Sequence, residues 1–271
     1  MNKRKSIFSQ VAELEISGKA GALCMVISSK GSTPRRAGAK MIVYHDGSIT
    51  GTVGGGELEN RVRHAALESI KTGRPVTLSY NMTDTKRGDP GICGGQVEVY
   101  VEPILPAPTI VVIGGGHVGK AVSHLAKWLG YRVVVSDDRP EFCTRKANPD
   151  ADLLLPISMK DIPKKLVITP YTFFVLTTRG VDVDVEGLPV LIESPAAYIG
   201  VIGSRKRWAT TVNKLLSAGI PKTALQRIHS PVGININAET PEEIAVSILA
   251  EIIMVQSGGT GKPLKATSTI K

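Results

Sequence analysis

One stretch constrains this chain more than any other: Ile110-Val111-Val112-Ile113-Gly114-Gly115-Gly116-His117-Val118-Gly119. A β-branched apolar run breaks into glycines and then into a helical pattern. Gly114, Gly116 and Gly119 stand at the spacing of the G-x-G-x-x-G fingerprint of dinucleotide-binding folds. Gly114 would permit the tight turn out of the strand, Gly116 would let a pyrophosphate approach the backbone, and Gly119 would let the helix pack close to the sheet. Gly115, His117 and Val118 complete the loop, and the amides of the helix start would hold the anion. His117 suits a ligand contact at the loop mouth and a structural bond equally well.

The surroundings agree with this reading. Val118, Val122, Leu125 and Leu129 share one helical face, Gly130 stops the helix, and Tyr131 to Val135 reads as the next buried strand. Asp137 follows, 21 residues beyond Gly116, with Asp138 and Arg139 after it. A carboxylate there would meet ribose hydroxyls and favour NAD, or a related nucleotide with a free 2′-hydroxyl. Tyr171 to Thr177 and Tyr198 to Ile202 are apolar without alternation, as parallel strands covered on both faces are. Gly203, Ser204 and Arg205 then open a basic helix, which would either add phosphate-binding groups at the strand ends or present a solvated face. Thr240-Pro241-Glu242-Glu243 is a capping box with proline at the first helical position. The helix it opens is apolar nearly all round, apart from Glu251, and is expected to be buried, with a subunit interface as one place for it.

Pro103, Pro106 and Pro108 crowd the stretch before the fingerprint. Proline lacks an amide donor, so 103–108 reads as a linker. It separates an N-terminal domain, 1–102, from a Rossmann-like domain, 109–257, with a disordered tail over 258–271. The expected fold class is α/β: a smaller glycine-rich N-terminal α/β domain plus a C-terminal Rossmann-like parallel-sheet domain. Three features of the first domain carry chemistry. Arg35 and Arg36 sit in a loop between Gly31 and Lys40, where guanidinium forks suit phosphate or oxyanions. Gly54, Gly55, Gly56 and Glu57 start a helix and would form an anion nest. Cys93 lies among Gly91, Gly94 and Gly95, and reads either as a small apolar filler or as a reactive thiolate, sulfur carrier or soft metal ligand.

Bulk properties exclude several classes. The 271 residues contain 42% apolar residues, enough for real cores, yet no run long enough to span a membrane. Three cysteines without metal spacing suit a reducing cytosol, hence a cytoplasmic protein. The net charge of +9 points to an anionic ligand or an acidic partner. Scattered basic residues and only 4% aromatics argue against nucleic acid.

As an ensemble, these motifs resemble the xanthine dehydrogenase accessory protein family, XdhC/CoxI. The resemblance rests on Gly31-Ser32-Thr33-Pro34-Arg35, Gly51-Thr52-Val53-Gly54-Gly55-Gly56, Cys93-Gly94-Gly95, the glycine fingerprint, Asp137-Asp138-Arg139-Pro140, Tyr198 to Arg205, and Thr240 to Ala245. It implies a maturation factor that binds the molybdenum cofactor (molybdopterin), protects it during sulfuration and helps insert it into an apo molybdenum hydroxylase such as xanthine dehydrogenase. A homodimer is expected, and the basic surface could meet an acidic cysteine desulfurase or the apo-enzyme. On this resemblance, Arg35, Arg36 and the amides of Gly54 to Gly56 would hold the anionic parts, and Cys93 would hold molybdenum or shuttle sulfur. One stretch departs from the family pattern. Val181-Asp182-Val183-Asp184 stands where histidines are expected, which puts imidazole chemistry there in doubt. Two other readings compete: an NAD-dependent oxidoreductase, for which no Tyr-x-x-x-Lys or His-Asp pair is evident, and a nucleotide-sensing regulator.

Overall fold

The computed structural model describes residues 6–81 and 95–264. The chain divides into two compact units after Ala107.

The first unit runs α1 (Ile7–Ser17), β1 (Gly21–Lys30), β2 (Lys40–Tyr44), β3 (Ile49–Gly51), α2 (Gly56–Thr72), β4 (Val76–Asn81) and β5 (Gln96–Ile104). Its strands form one antiparallel sheet in the order β3-β2-β1-β5-β4. Alternation explains the layering: Val97, Val99 and Val101 turn inward from β5 and meet Leu58, Val62, Ala66 and Ile70 of α2. Ser6 caps α1 by accepting from the Ser9 amide, and Gly18 ends that helix in the left-handed conformation. Pro103, read from the sequence as linker, belongs to β5 and stands opposite Ala22. Pairing with β4 has already ended at Val101, so β5 is paired there on one side alone and tolerates a residue without a donor.

The second unit runs β6 (Thr109–Ile113), α3 (His117–Trp128), β7 (Arg132–Ser136), β8 (Leu153–Leu155), a short α4 (Ile162–Lys165), β9 (Thr172–Leu176), α5 (Val181–Ile192), β10 (Tyr198–Val201), α6 (Arg205–Ser217), a short α7 (Lys222–Leu225), β11 (Ile228–His229) and α8 (Pro241–Ser257). All six strands are parallel, in the order β11-β10-β9-β6-β7-β8. The unbroken apolar runs of β6 and β9 reflect burial on both faces. Ile110, Val112, Phe173 and Val175 meet Val122 and Ala126 of α3 and Ile248 and Ile252 of α8. Val111, Ile113, Phe174 and Leu176 meet Leu188 and Leu191 of α5 and Leu215 of α6. Strand order reverses between β6 and β9, which makes their carboxyl ends the topological switch point.

Two helices of this unit add to the sequence reading. The stretch Val181 to Asp184, which departs from the family's histidine pattern, is the first turn of α5, a helix held by burial of Leu188, Leu191 and Ile192. The capping box of α8 is present, with Thr240 Oγ1 accepting from Glu243 N and Glu243 Oε2 from Thr240 N. The helix is not buried all round, however: Val246, Ile253 and Val255 are exposed. Its one mid-helix charge has a local partner set. Glu251 accepts from Tyr198 Oη at 2.6 Å and Gly233 N at 2.7 Å, and lies 3.1 Å from His229 Nδ1. This is a histidine–carboxylate pair that the sequence did not suggest. His229 pairs in register with Gly200, one residue short of the end of β10, so the pair fastens the 228–234 segment to α8. Of the expected tail, 258–264 is exposed coil whose start is tied by Gly259 N to the Met254 carbonyl. The remaining residues of the expected tail lie outside the described residues.

Candidate functional site

Helix starts divide into two groups. Ser6, Ser204 and Thr240 cap α1, α6 and α8 with their own hydroxyls. The helices α2, α3 and α5 begin after Gly55, Gly116 and Gly180, with no side-chain cap. Uncapped first-turn amides are donors left for something else. Two of these starts, those of α3 and α5, flank the switch point of the parallel sheet.

There the fingerprint glycines separate by role. A Cβ on Gly114 would lie 2.5 Å from the Thr177 carbonyl oxygen, and one on Gly119 would lie 1.9 Å from that of Gly114. These two glycines serve the close packing of loop, helix and β9. A Cβ on Gly115 would strike the Phe142 carbonyl at 2.2 Å. Gly116 alone among the four opens onto free space, with nothing within 4 Å and an extended backbone at φ −71°. It is therefore the position where a ligand can approach the backbone. His117 is exposed beside it and Val118 half-buried beneath it. Asn148, fully buried, fastens the loop by donating to the Gly115 carbonyl at 3.1 Å and the Phe142 carbonyl at 2.8 Å.

The acidic residues after β7 are engaged by the chain itself. Asp137 is buried; its Oδ2 accepts from Gly115 N and Arg139 Nη2, each at 2.9 Å, and its Oδ1 accepts from Arg139 N and Nε, each at 3.0 Å. Arg139 also stacks on Phe142, 3.9 Å from the ring centroid. Asp138 forms a two-pronged pair with Arg179, at 2.6 and 2.8 Å. Arg179 follows β9 and Asp138 follows β7, so this pair arches over the end of β6, which lies between them. Hydrogen bonds from Arg179 hold the Asp138 carboxyl below the usual carboxylate range, against the opposing effect of burial. The cleft beneath, lined by Gly114, Asp137, Asp138, Thr178, Arg179 and Met159 among others, measures about 60 Å³. That is room for about two waters.

Gly203 and Ser204 follow β10, with Ser204 Oγ accepting from Arg207 N. Arg205 is exposed. The residue that acts inward is Arg207, which the Gly203-Ser204-Arg205 signal does not single out. Its guanidinium donates to the Thr178 carbonyl, to Thr178 Oγ1 and, at 2.6 Å, to Asp184 Oδ2. Asp184 is fully buried and also accepts from the Thr178 hydroxyl. Asp184, which survives where the family pattern has histidines, is thus the anion of an ion pair tying α5, α6 and the β9 loop together.

In the first unit, three separate sequence signals converge. A Cβ on Gly54 would lie 2.9 Å from Pro34 Cγ, and one on Gly95 would lie 2.3 Å from the Ser32 carbonyl and 2.7 Å from Thr33 Cγ2. The Gly31–Lys40 loop therefore touches both the triple-glycine turn and the last residue of the Cys93-Gly94-Gly95 motif. Cys93 and Gly94 lie outside the described residues. Arg35 and Arg36 are exposed, and their guanidiniums have no partner among the described residues. Glu57, expected in the nest, is instead an outward group paired with Arg61 at 2.9 Å. The carboxylate in the nest is Glu59. It accepts from Gly55 N at 2.9 Å, from Val53 N at 3.3 Å and from the Thr52 hydroxyl, which in turn accepts from Gly54 N at 3.2 Å. Burial pushes the Glu59 pKa up, but these bonds outweigh it and hold the carboxyl below its ordinary value. Sequence pointed to Glu57 because it adjoins the glycines; the turn places Glu59, further along the helix, over the amides. Of the remaining thiols, Cys24 is buried in β1 with its pKa pushed up to about 12, and Cys143 is buried and donates to the Val135 carbonyl. Both are inert packing groups. Among the described residues no His, Cys, Asp and Glu group is arranged to hold a metal, and no helix is long and apolar enough to cross a membrane.

Comparison with known proteins follows these two regions. Residues 110–252 match the XdhC Rossmann domain, and residues 16–81 match the XdhC and CoxI family. The chain is 35% identical over 261 residues to an uncharacterised protein, YqeB, of Escherichia coli (strain K12), covering 94% of this chain and 47% of that one. It is 33% identical over 158 residues to a probable xanthine dehydrogenase component of Bacillus subtilis (strain 168), covering 58% and 46%. It therefore spans about half the length of these two relatives. A molybdenum cofactor insertion chaperone, PaoD of Escherichia coli (strain K12), is 22% identical over 307 residues, with 93% and 88% covered. A solved structure described as a xanthine dehydrogenase from Bacillus halodurans superimposes with a TM-score of 0.51 at 22% identity, covering 98% of each chain. At that identity it speaks for the fold alone.

Proposed function

This chain belongs to the XdhC/CoxI family, and on that premise we propose that it takes up the molybdenum cofactor, shields it during sulfuration and delivers it to an apo molybdenum hydroxylase. The observation that carries this reading is the convergence in the first unit. The loop bearing Arg35 and Arg36 is seated between the Gly54 turn and Gly95. Two guanidiniums without partners among the described residues suit the phosphate of a pterin cofactor, which they would hold by bidentate bonds. Cys93, two residues before Gly95, is the soft group of this region and would hold molybdenum or pass sulfur as its thiolate. When bound, the cofactor supplies a molybdenum centre with oxo and sulfur ligands. The protein's part is to bind the anion, exclude water and keep the centre intact. A net charge of +9 suits an acidic surface on the apo-enzyme or on a cysteine desulfurase, and a homodimer in the cytoplasm is the expected state.

A second element concerns the parallel-sheet unit. Open space at Gly116 and the uncapped starts of α3 and α5 support binding of NAD or a related nucleotide. The ligand would contact Gly114 to Gly119 and displace Arg139 from Asp137 to reach that carboxylate. Such a nucleotide would serve as a regulatory ligand that reports cell state to the cofactor-bearing unit.

The test is Cys93→Ser, which nearly keeps shape and removes the soft ligand. The variant is expected to fold, to keep nucleotide binding and to lose both molybdenum retention after co-expression with the cofactor pathway and reconstitution of an apo-hydroxylase. If it retains molybdenum and restores activity as wild type does, Cys93 is packing and the chemistry lies elsewhere.

A further inference from the structure

We propose that Glu59 is the positioning residue of the first unit's binding region: its own carboxylate fills the amide nest, seats the Arg35–Arg36 loop, and leaves the two guanidiniums as the anion contacts for a phosphate-bearing ligand. The inference rests on the reading that this region binds the cofactor.

A triple glycine before a helix ordinarily invites an external anion. Here Glu59 Oε1 takes the Gly55 and Val53 amides and the Thr52 hydroxyl, and Thr52 Oγ1 takes the Gly54 amide. The amides of Val53, Gly54 and Gly55 are therefore all spoken for, directly or through Thr52. These bonds hold Gly54 and Gly55 at φ of 147° and 81°, a region L side chains rarely adopt. At Gly54 the missing Cβ leaves the space into which Pro34 Cγ fits. Pro34 is the residue before Arg35, so the direction in which the arginine pair leaves the sheet depends on the turn that Glu59 holds. The loop has a second anchor where the Ser32 carbonyl and the Thr33 side chain lie against Gly95, and Thr33 Oγ1 donates to the Arg35 carbonyl at 3.0 Å. With the Val53, Gly54 and Gly55 amides taken, an incoming phosphate finds its free side-chain donors on Arg35 and Arg36, in addition to the first-turn amides of α2, which no side chain caps. Side-chain recognition thus falls to guanidinium forks, which select planar or tetrahedral oxyanions by two parallel bonds.

Two measurements on the full chain separate this claim from the reading it rests on. The first needs no ligand: limited trypsin cleavage after Arg35 and Arg36, with other surface basic residues as internal control. Glu59→Ala should speed cleavage there by about tenfold, Glu59→Gln, which keeps an acceptor oxygen in place, by no more than about threefold, and added formate should restore the Ala variant by refilling the nest. Unchanged cleavage in Glu59→Ala, with circular dichroism showing a folded chain, overturns the positioning role whatever the ligand is. The second is molybdenum and organic phosphate bound per chain after co-expression. Glu59→Ala should retain about a tenth of the wild-type amount and recover with formate, whereas the double variant Arg35→Ala/Arg36→Ala should lose the cofactor and not recover. If Glu59→Ala retains more cofactor than wild type, or binds inorganic phosphate tightly in formate-free buffer while retaining it, the nest is the ligand's own site and Glu59 a plug; that overturns the proposal. If the arginine double variant retains the cofactor while circular dichroism shows a folded chain, the cofactor reading of this region fails and the trypsin result on the Glu59 variants alone decides on Glu59.

Discussion

The two units solve one problem, a glycine-rich turn at an uncapped helix start, in opposite ways. In the first, the carboxylate that enters the turn comes from the same helix: Glu59, four residues after Gly55, with no cation bonded to it among the described residues. In the second it comes from the next strand: Asp137, reaching Gly115 across 22 residues of chain, with both oxygens also bonded to Arg139. A local carboxylate takes the amides of the turn itself, Val53 to Gly55, and leaves nearby arginines free. A distant one takes a single amide, is neutralised by its own arginine, and leaves Gly116 and the start of α3 open. The contrast teaches that glycine spacing marks where backbone can be approached, while the nearest carboxylate decides whether a ligand approaches amides or side chains.

The contrast can be broken most severely at Gly119. An alanine there puts Cβ 1.9 Å from a backbone carbonyl that cannot move aside. We expect a loss of about 3 kcal/mol or more for the parallel-sheet unit, with the first unit's melting unchanged. Two calorimetric transitions, only one of them shifted, would register this; a single shifted transition would show that the units melt together. Next in size is Glu59→Ala, which removes an acceptor of charged hydrogen bonds. About 2 kcal/mol should be lost from the first unit alone, as read by hydrogen exchange in α2 and β5.

Acid sharpens the same point. The Glu59 carboxyl is held below its ordinary value, so its contribution is present above the unfolded pKa, near 4.3, and disappears as pH falls through the lower folded value. Wild type should therefore lose first-unit stability below about pH 4, and Glu59→Gln should flatten that acid limb. An unchanged limb would assign it to other carboxyls. The smallest expected effect is Asp138→Asn. Its pair with Arg179 is about half exposed and worth less than about 1 kcal/mol. Stability should hardly change, while nucleotide affinity in calorimetry should rise a few-fold, because the arch over β6 no longer has to open. A fall in affinity would instead make Asp138 a ligand contact.

Much of the architecture was legible in the residues. The switch from apolar run to glycines to helical spacing located β6 and α3, and the Thr240–Glu243 box located α8, because each signal is local. What escaped depends on contacts distant in sequence. The sequence assigns no element to Val181 to Val185, and burial of Leu188 and Leu191, later in the chain, holds this stretch in α5. Asp184 and Arg207 carry no local mark of burial, yet they form a buried pair between two helices. Arg35, Gly54 and Gly95 were each visible, but no spacing rule said that one loop touches the other two. Glu59 was missed for a simpler reason: proximity in sequence favoured Glu57, whereas helical geometry carries Glu57 outward to Arg61 and turns Glu59 back over the amides.

The central claim is a division of labour, with cofactor on side chains of the first unit and nucleotide on backbone of the second. The most direct measurement is a crossed pair on the full chain: molybdenum content after co-expression, and NAD affinity by calorimetry, for Arg35→Ala/Arg36→Ala and for Gly116→Val. Gly116 has an extended backbone and open space, so its variant should fold. The account predicts that the arginine variant loses molybdenum and keeps NAD binding, while the valine variant loses NAD binding and keeps molybdenum. Loss of molybdenum in Gly116→Val with full retention in the arginine variant would place the cofactor on the parallel-sheet unit and contradict it.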